Sequence, residues 1–226
     1  MEAGALAPFE RALGGGGPLG LCTDDGRVVT LDVRRWLAVA DAADETVLSR
    51  CVAPVIDMGC GPGRLVTSLS ERGVPALGVD IAETAVALNR ERGMLALRRN
   101  VFDDLPGEGR WPTALLIDGN IGIGGDPARL LRRVRALLAA DGRVLVEVAA
   151  DDDADDVLAV RFTEHGRPVG PLFDWALVGR RALARYAAAG GYSVVESWSA
   201  SGREFCALSG SALADAGAPR RSTLAT

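Results

Sequence analysis

The sequence predicts an α/β protein: a doubly wound, mostly parallel sheet between two helical layers, ended by a C-terminal antiparallel hairpin. Three observations carry this. Short apolar runs alternate with segments of helical spacing from Pro54 to Val148, the rhythm of βαβ units in a parallel sheet with right-handed crossovers. Within that stretch Val55-Ile56-Asp57-Met58 leads into Gly59-Cys60-Gly61-Pro62-Gly63 and then Leu65, Val66 and Leu69, which reads as a buried strand, a glycine turn and a helix start. The rhythm then changes. Tyr192–Trp198 and Arg203–Leu208 flank Ser199-Ala200-Ser201-Gly202, a hairpin signal.

Taken in order, residues 1–52 read as an N-terminal cap or lid. A short helix around Phe9–Leu13 is followed by Gly14–Gly17, a flexible joint that lets the segment move over the site. Asp24-Asp25-Gly26 between apolar runs predicts a hairpin. Asp32 caps a helix from Val33 to about Ala42, and a second helix spans Asp44–Cys51. The main domain covers residues 53–209, with strands at Pro54–Met58, Ala76–Val79, Leu95–Arg98, Ala114–Ile117 and Arg143–Val148. Helices run from Gly63 to Arg72, from Glu83 to Arg92 with Gly93 as C-cap, and onward from Asp126-Pro127. Residues 150–175 form a substrate-side insertion that begins as a solvated aspartate run and holds an extra strand at Val157–Phe162. A helix from about Asp174 to Ala189 follows, and residues 210–226 read as a disordered tail.

Composition sets bounds. A chain of 226 residues suits one domain with a small cap. The net charge of −5 argues against a broad nucleic-acid surface. All 25 basic residues are arginine, which with abundant Ala and Gly points to a GC-rich bacterial genome. Cys22, Cys51, Cys60 and Cys206 are scattered and His165 is the single histidine, so no metal site is expected, and the thiols read as free in a cytoplasmic protein. No apolar run approaches the ~18 residues of a membrane span. Met1–Leu13 lacks the basic start of a secretory signal.

The chemistry concentrates at the glycine turn. Glycine accepts positive φ and lets a ligand touch the backbone, and the helix start presents free N–H groups. Ala76-Leu77-Gly78-Val79-Asp80 closes the neighbouring strand on an acid placed to accept ribose hydroxyls. A dinucleotide fingerprint needs G-x-G-x-x-G, and its third glycine would fall at Arg64. The pattern present is D-x-G-x-G-x-G. It resembles motif I of the class I (Rossmann-like, seven-stranded) methyltransferases that use S-adenosyl-L-methionine (SAM), and the resemblance extends over about Pro54–Leu208. It implies SAM across the carboxyl ends of the first, second and fourth core strands. Gly59, Cys60, Gly61 and Gly63 would pass under the methionyl and ribose portions, and Asp57 would orient the turn and, through water, the SAM amine. Asp80 would bind the ribose hydroxyls, and Ile81 and Val101 would flank the adenine. Asn100 would stand where the family often has an adenine-binding acid, with Asp103 or Asp104 as substitutes. Asp118, with Gly119 and Asn120, would face the methyl donor.

Methyl transfer needs alignment and exclusion of water more than a covalent residue. His165, Asp118 and Glu147 are candidate bases, none of them singled out. The expected reaction is in-line methyl transfer to a small molecule, with an acceptor pocket built by Phe9–Trp36 and by Ala149–Trp175, which carries Phe162, His165, Phe173 and Trp175. Rival readings are an NAD-linked oxidoreductase, a methyltransferase of protein or nucleic acid, and a SAM-binding sensor. Arg64 counts against the first. Asp118-Gly119-Asn120-Ile121, in place of an N-P-P-Y-like run, weighs against the second.

Overall fold

A computed structural model describes residues 3–210. In chain order, α1 (Ala7–Leu13) precedes the hairpin β1 (Leu19–Thr23) and β2 (Val28–Leu31), then α2 (Val33–Leu37) and α3 (Ala42–Leu48). The central run is β3 (Val55–Met58), α4 (Arg64–Glu71), β4 (Ala76–Asp80), α5 (Glu83–Glu91), β5 (Ala96–Arg98), β6 (Trp111–Leu116), α6 (Pro127–Leu137) and β7 (Leu138–Val148). The chain closes with β8 (Asp155–Glu164), β9 (Arg167–Val178), α7 (Arg180–Ala189), β10 (Tyr192–Ala200) and β11 (Arg203–Gly210).

Seven strands form one sheet in the order β10-β11-β7-β6-β3-β4-β5. Strands β3 to β7 are parallel, and β11 runs antiparallel to both β7 and β10. Alternate residues of β3 serve opposite faces, as a period of two demands. Val55 packs with Leu65, Leu69, Leu115 and Phe205, while Ile56 and Met58 pack with Leu116, Leu130, Val134 and Val146. Each fully buried aliphatic side chain contributes about 1.5–3 kcal/mol. Successive connections leave β3 in opposite directions, so a crevice opens beyond its carboxyl end, where open α/β sheets bind ligands.

A second, antiparallel sheet has the order β2-β1-β8-β9. It joins the N-terminal hairpin to the later insertion, with Leu21 opposite Phe162. Leu6, Leu13, Leu19, Val33 and Phe162 cluster with Ala82 and Ala85, so this sheet and α1 dock beside α5.

Several expectations change. Residues 174–178 belong to β9, and α7 begins only at Arg180. Trp175-Ala176-Leu177-Val178 lacks a polar helical face, and Trp175 pairs across an isolated bridge with Ile123. The segment before Gly14–Gly17 is anchored through two residues of α1. Arg11 forks onto Glu164 at 2.8 and 3.0 Å, and Glu10 accepts from the Glu83 N–H at 2.8 Å, capping α5, whose own N-cap Ala82 offers no side-chain acceptor. The aspartate run is matched to α7: Asp152, Asp153 and Asp155 pair with Arg180, Arg181 and Arg185. The expected helix from Val33 stops at Leu37, and Asp41 starts α3 with a capping box to Asp44. Ser209 and Gly210 complete β11; residues 211–226, where a disordered tail was expected, lie outside the described residues. No helix among the described residues is long and apolar enough to cross a membrane.

Candidate functional site

Beyond β3 the chain turns through Gly59 (φ +78°), Gly61 (φ +53°) and Gly63 (φ +87°). Two of these positions are also closed to any side chain. A Cβ at Gly59 would lie 2.8 Å from Asn120 Nδ2, and one at Gly63 would lie 1.9 Å from Asn89 Oδ1. At Gly61 a Cβ would meet nothing within 4 Å. Three side chains hold the turn. Asn120 Nδ2 donates to the Met58 and Gly59 carbonyls at 3.0 and 2.8 Å. Asn89 Nδ2 donates to the Gly61 and Ala85 carbonyls, both at 2.9 Å. Asp80 accepts from the Gly61 N–H through Oδ2 and from the Ala82 N–H through Oδ1, both at 2.8 Å.

The turn forms the floor of a cavity of about 840 Å³, toward the upper end of the range for small-molecule sites. Asp57, Gly59, Cys60, Gly61, Asp80, Ile81, Asn100, Val101 and Asp118 all line it. Gly63 does not; its glycine is explained by the close approach of Asn89. Asn100 Oδ1 accepts from the Phe102 N–H at 3.1 Å, which leaves one lone pair for a ligand. Burial pushes the Cys60 thiol well up, so it is not a nucleophile at neutral pH. The opposite wall comes from the second sheet and the N-terminal helices: Phe9, Trp36, Phe162, Phe173 and Trp175. His165 does not join them. It sits exposed at the β8–β9 turn with φ +49° and is absent from the lining.

Asp57 is 3 % exposed, and no hydrogen bond among the described residues engages its carboxylate. Burial, then the nearby Asp118 charge, raises its pKa to about 7. Beside it lies a network of three arginines and three carboxylates. Arg64 forks onto Asp44 at 2.6 and 2.8 Å, and Arg203 forks onto Glu147 at 2.8 and 2.6 Å. Arg203 also reaches Asp44 at 2.8 Å. Asp118, in a left-handed conformation at φ +58°, receives Arg35 at 2.6 Å, Arg203 at 3.2 Å and Arg64 at 3.3 Å. Its own N–H donates to Glu147 Oε2 at 2.7 Å. Burial raises the Asp118 pKa against the pull of Arg64 and Arg35. Burial also opposes ionisation of Asp44, yet hydrogen bonds from Arg64 and Arg203 hold its pKa below the usual range. Asp118 and Glu147 are both engaged by guanidiniums, and Glu147 lies outside the lining.

Sequence reasoning missed this network. Arg64 registers there only as a missing glycine, and Asp44, Arg35 and Arg203 sit in unrelated segments with no local motif. Asn89 reads as ordinary helix spacing; the signal that points to it is a polar residue on an otherwise apolar helix face.

A family model described as a methyltransferase domain matches residues 34–197. Trans-aconitate 2-methyltransferase from Rhodococcus jostii (strain RHA1) is 33% identical over 141 residues, covering 58% of this chain and 54% of that protein. The match thus spans about half the length of that relative. Among solved structures, a SAM-dependent methyltransferase from Bacteroides fragilis in complex with S-adenosyl-L-homocysteine superposes with a TM-score of 0.78 at 20% identity, over 93% of this chain and 97% of that one. The 1,6-didemethyltoxoflavin-N1-methyltransferase of Burkholderia thailandensis superposes at 0.56 with 22% identity, over 75% and 76%. These structures share the fold. The open Gly61 cradle and the Asp80 carboxylate at the cavity wall suit a nucleoside bearing a charged tail, as SAM does. With the matched domain covering most of its length, the chain belongs to the methyltransferase-domain family, as a class I member whose cofactor is S-adenosyl-L-methionine.

Proposed function

We propose that the protein transfers the methyl group of SAM to a small-molecule acceptor in bacterial secondary metabolism. The carrying observation is a single cavity with two unlike halves: a glycine turn with acids on one side and an aromatic wall on the other. SAM supplies an electrophilic methyl on its sulfonium, and the protein's part is to bind, orient and keep water out. Asp80 accepts the ribose hydroxyls on lone pairs left free by Gly61 and Ala82. Gly59, Cys60 and Gly61 bring backbone against the ligand, and Gly63 lets Asn89 hold that backbone in place. Asp57 pairs with the α-ammonium, and Ile81, Val101 and Asn100 receive the adenine. Asp118, fixed by its three arginines, faces the methionyl end. The aromatic half takes the acceptor and shields the reacting atoms, with the sheet β2-β1-β8-β9 and α1 as its roof. The acceptors of two relatives, trans-aconitate and didemethyltoxoflavin, are small molecules and support this class.

Isothermal titration with SAM, S-adenosylhomocysteine and NAD tests the ligand, and turnover of methyl-labelled SAM with a metabolite extract tests the reaction. Heat with SAM and its product, none with NAD, and label appearing in a small molecule are expected. Tight NAD binding without SAM heat would sink the reading.

A further inference from the structure

From the acceptor half of the cavity we infer a substrate class, an inference that rests on the methyltransferase reading: a flat aromatic molecule whose nucleophilic atom is already ionised when it binds. The wall is a connected set of rings from four elements. Phe9 of α1 lies 5.8 Å from Trp36 of α2 and 6.4 Å from Phe162 of β8, and Phe162 lies 5.1 Å from Phe173 of β9, centroid to centroid. Trp175 follows Phe173 on the same face of β9. Such a wall favours a planar partner that can stack against it or meet its ring edges.

This half carries two tryptophans and one carboxylate in its lining. Trp111 and Trp198, away from the cavity, donate their indole N–H groups to the Pro106 carbonyl and the Thr46 hydroxyl, both at 2.8 Å. No hydrogen bond among the described residues engages the indole N–H of Trp36 or Trp175, the two tryptophans that line the cavity. An indole N–H only donates, so that of Trp36 suits an acceptor molecule bearing carbonyl, carboxylate or phenolate oxygen, whereas Trp175 Nε1 packs against Gly122, where a Cβ would lie 2.6 Å from it. The described residues that the N-terminal segment and the insertion place in the lining include one ionisable group, Asp174, which is exposed and on the face of β9 opposite Phe173 and Trp175. On the cofactor side Asp118 is held by three arginines, Asp80 by two backbone N–H groups, and Asp57 lies buried at the end of β3. Asp103, which also lines the cavity, accepts from the Asn100 N–H on the cofactor side, so among the described residues the acceptor half holds no inward-facing general base. A nucleophile that is already an anion needs none. Its lone pair forms the new bond to carbon as the carbon–sulfur bond breaks, the bonding electrons pass to sulfur, and no proton moves.

Three probes separate flatness from ionisation: 2-naphthoate (flat, ionised), decahydro-2-naphthoate (ionised, not flat) and naphthalene-2-methanol (flat, with a hydroxyl that stays protonated). Each is titrated calorimetrically into protein saturated with S-adenosylhomocysteine, after binding of that product has been measured alone. 2-Naphthoate is expected to bind at least about tenfold more tightly than the decahydro acid, and Phe173→Ala to remove about tenfold of that affinity while product affinity holds. With methyl-labelled SAM, label transfer to 2-naphthoate is expected to exceed transfer to naphthalene-2-methanol by more than tenfold. Equal binding of the two acids overturns the flat-acceptor inference, and equal transfer to acid and alcohol overturns the absence of a base. Product heat with no 2-naphthoate heat overturns this inference alone; no product heat overturns the methyltransferase reading with it.

Discussion

Asp80→Ala is expected to weaken cofactor binding and the fold together, because one carboxylate has two tasks. It holds the glycine turn through the Gly61 N–H and the start of α5 through the Ala82 N–H, each at 2.8 Å, and in the proposed complex it also accepts the ribose hydroxyls. Ala82 is fully buried, so alanine at position 80 leaves at least one N–H without an acceptor. A buried donor left unsatisfied costs about 1–3 kcal/mol. Partial access of water to Gly61 makes the second loss smaller, so the sum is about 2–4 kcal/mol. For a chain of this size, ~1 kcal/mol moves the melting temperature by about 2–4 °C, giving a fall of roughly 4–16 °C. Loss of the ribose bonds, partly recovered by water, should raise the SAM dissociation constant about ten- to a few hundred-fold. The ribose is remote from the methyl, so turnover at saturating SAM should fall far less than the Michaelis constant rises. Melting and calorimetric titration on the same variant decide the matter. A lowered melting temperature with an unchanged dissociation constant refutes the ribose assignment and leaves Asp80 a structural residue.

Asp57 has a pKa of about 7 in the free protein, and an ammonium bound beside it would favour the carboxylate. SAM binding at pH 7 should therefore release about half a proton, read by calorimetry in buffers of different ionisation enthalpy; no release at pH 7 refutes the pairing. The same raised value means that the folded chain holds this proton where the unfolded chain loses it. Asp57 thus lowers stability progressively as pH rises from about 4 to about 7, and Asp57→Asn should flatten that part of the melting profile. Asp44→Ala strips both Arg64 and Arg203 of a buried partner and should destabilise by about 3–5 kcal/mol, and a urea melt within ~1 kcal/mol of the parent would contradict the network's role. Gly63→Ala should weaken SAM binding at least about tenfold, because its Cβ meets Asn89 Oδ1 at 1.9 Å. Asn89→Ala in the same chain should return part of that loss, so strict additivity in the double-mutant cycle would show that the two positions do not interlock.

The cofactor half was legible because its constraints are local. β3, the glycine turn, β4 and Asp80 follow one another within a short stretch whose apolar runs and glycines each have one physical reading. The N-terminal segment was only partly legible. The hairpin signal at Asp24-Asp25-Gly26 is local, but the pairing of β1 with β8 is not. β9 was hidden for two reasons. Its turn uses His165 at positive φ before Gly166, rather than the Asn-Gly or Asp-Gly that marks such turns. Its last residues, Trp175 to Val178, form a short apolar run that periodicity alone leaves open between strand and helix. His165 drew attention as the lone imidazole, and only the turn geometry removes it from the site. Arg35, Arg64 and Arg203 come from α2, α4 and β11, and nothing in any one segment announces that they meet at Asp118.

The pairing of Leu21 with Phe162 also sets an order of assembly. Every strand from β3 to β7 finds its parallel neighbours within the middle of the chain, whereas β1 emerges from the ribosome long before β8 exists. Closing so long a loop is slow relative to forming nearby contacts, so the SAM half matures first and β1 waits with its edge unpaired. A nascent chain stalled after β7 would lack Phe162, Phe173 and Trp175, leaving only Phe9 and Trp36 of the aromatic wall. Completion of the aromatic wall thus waits on β8 and β9.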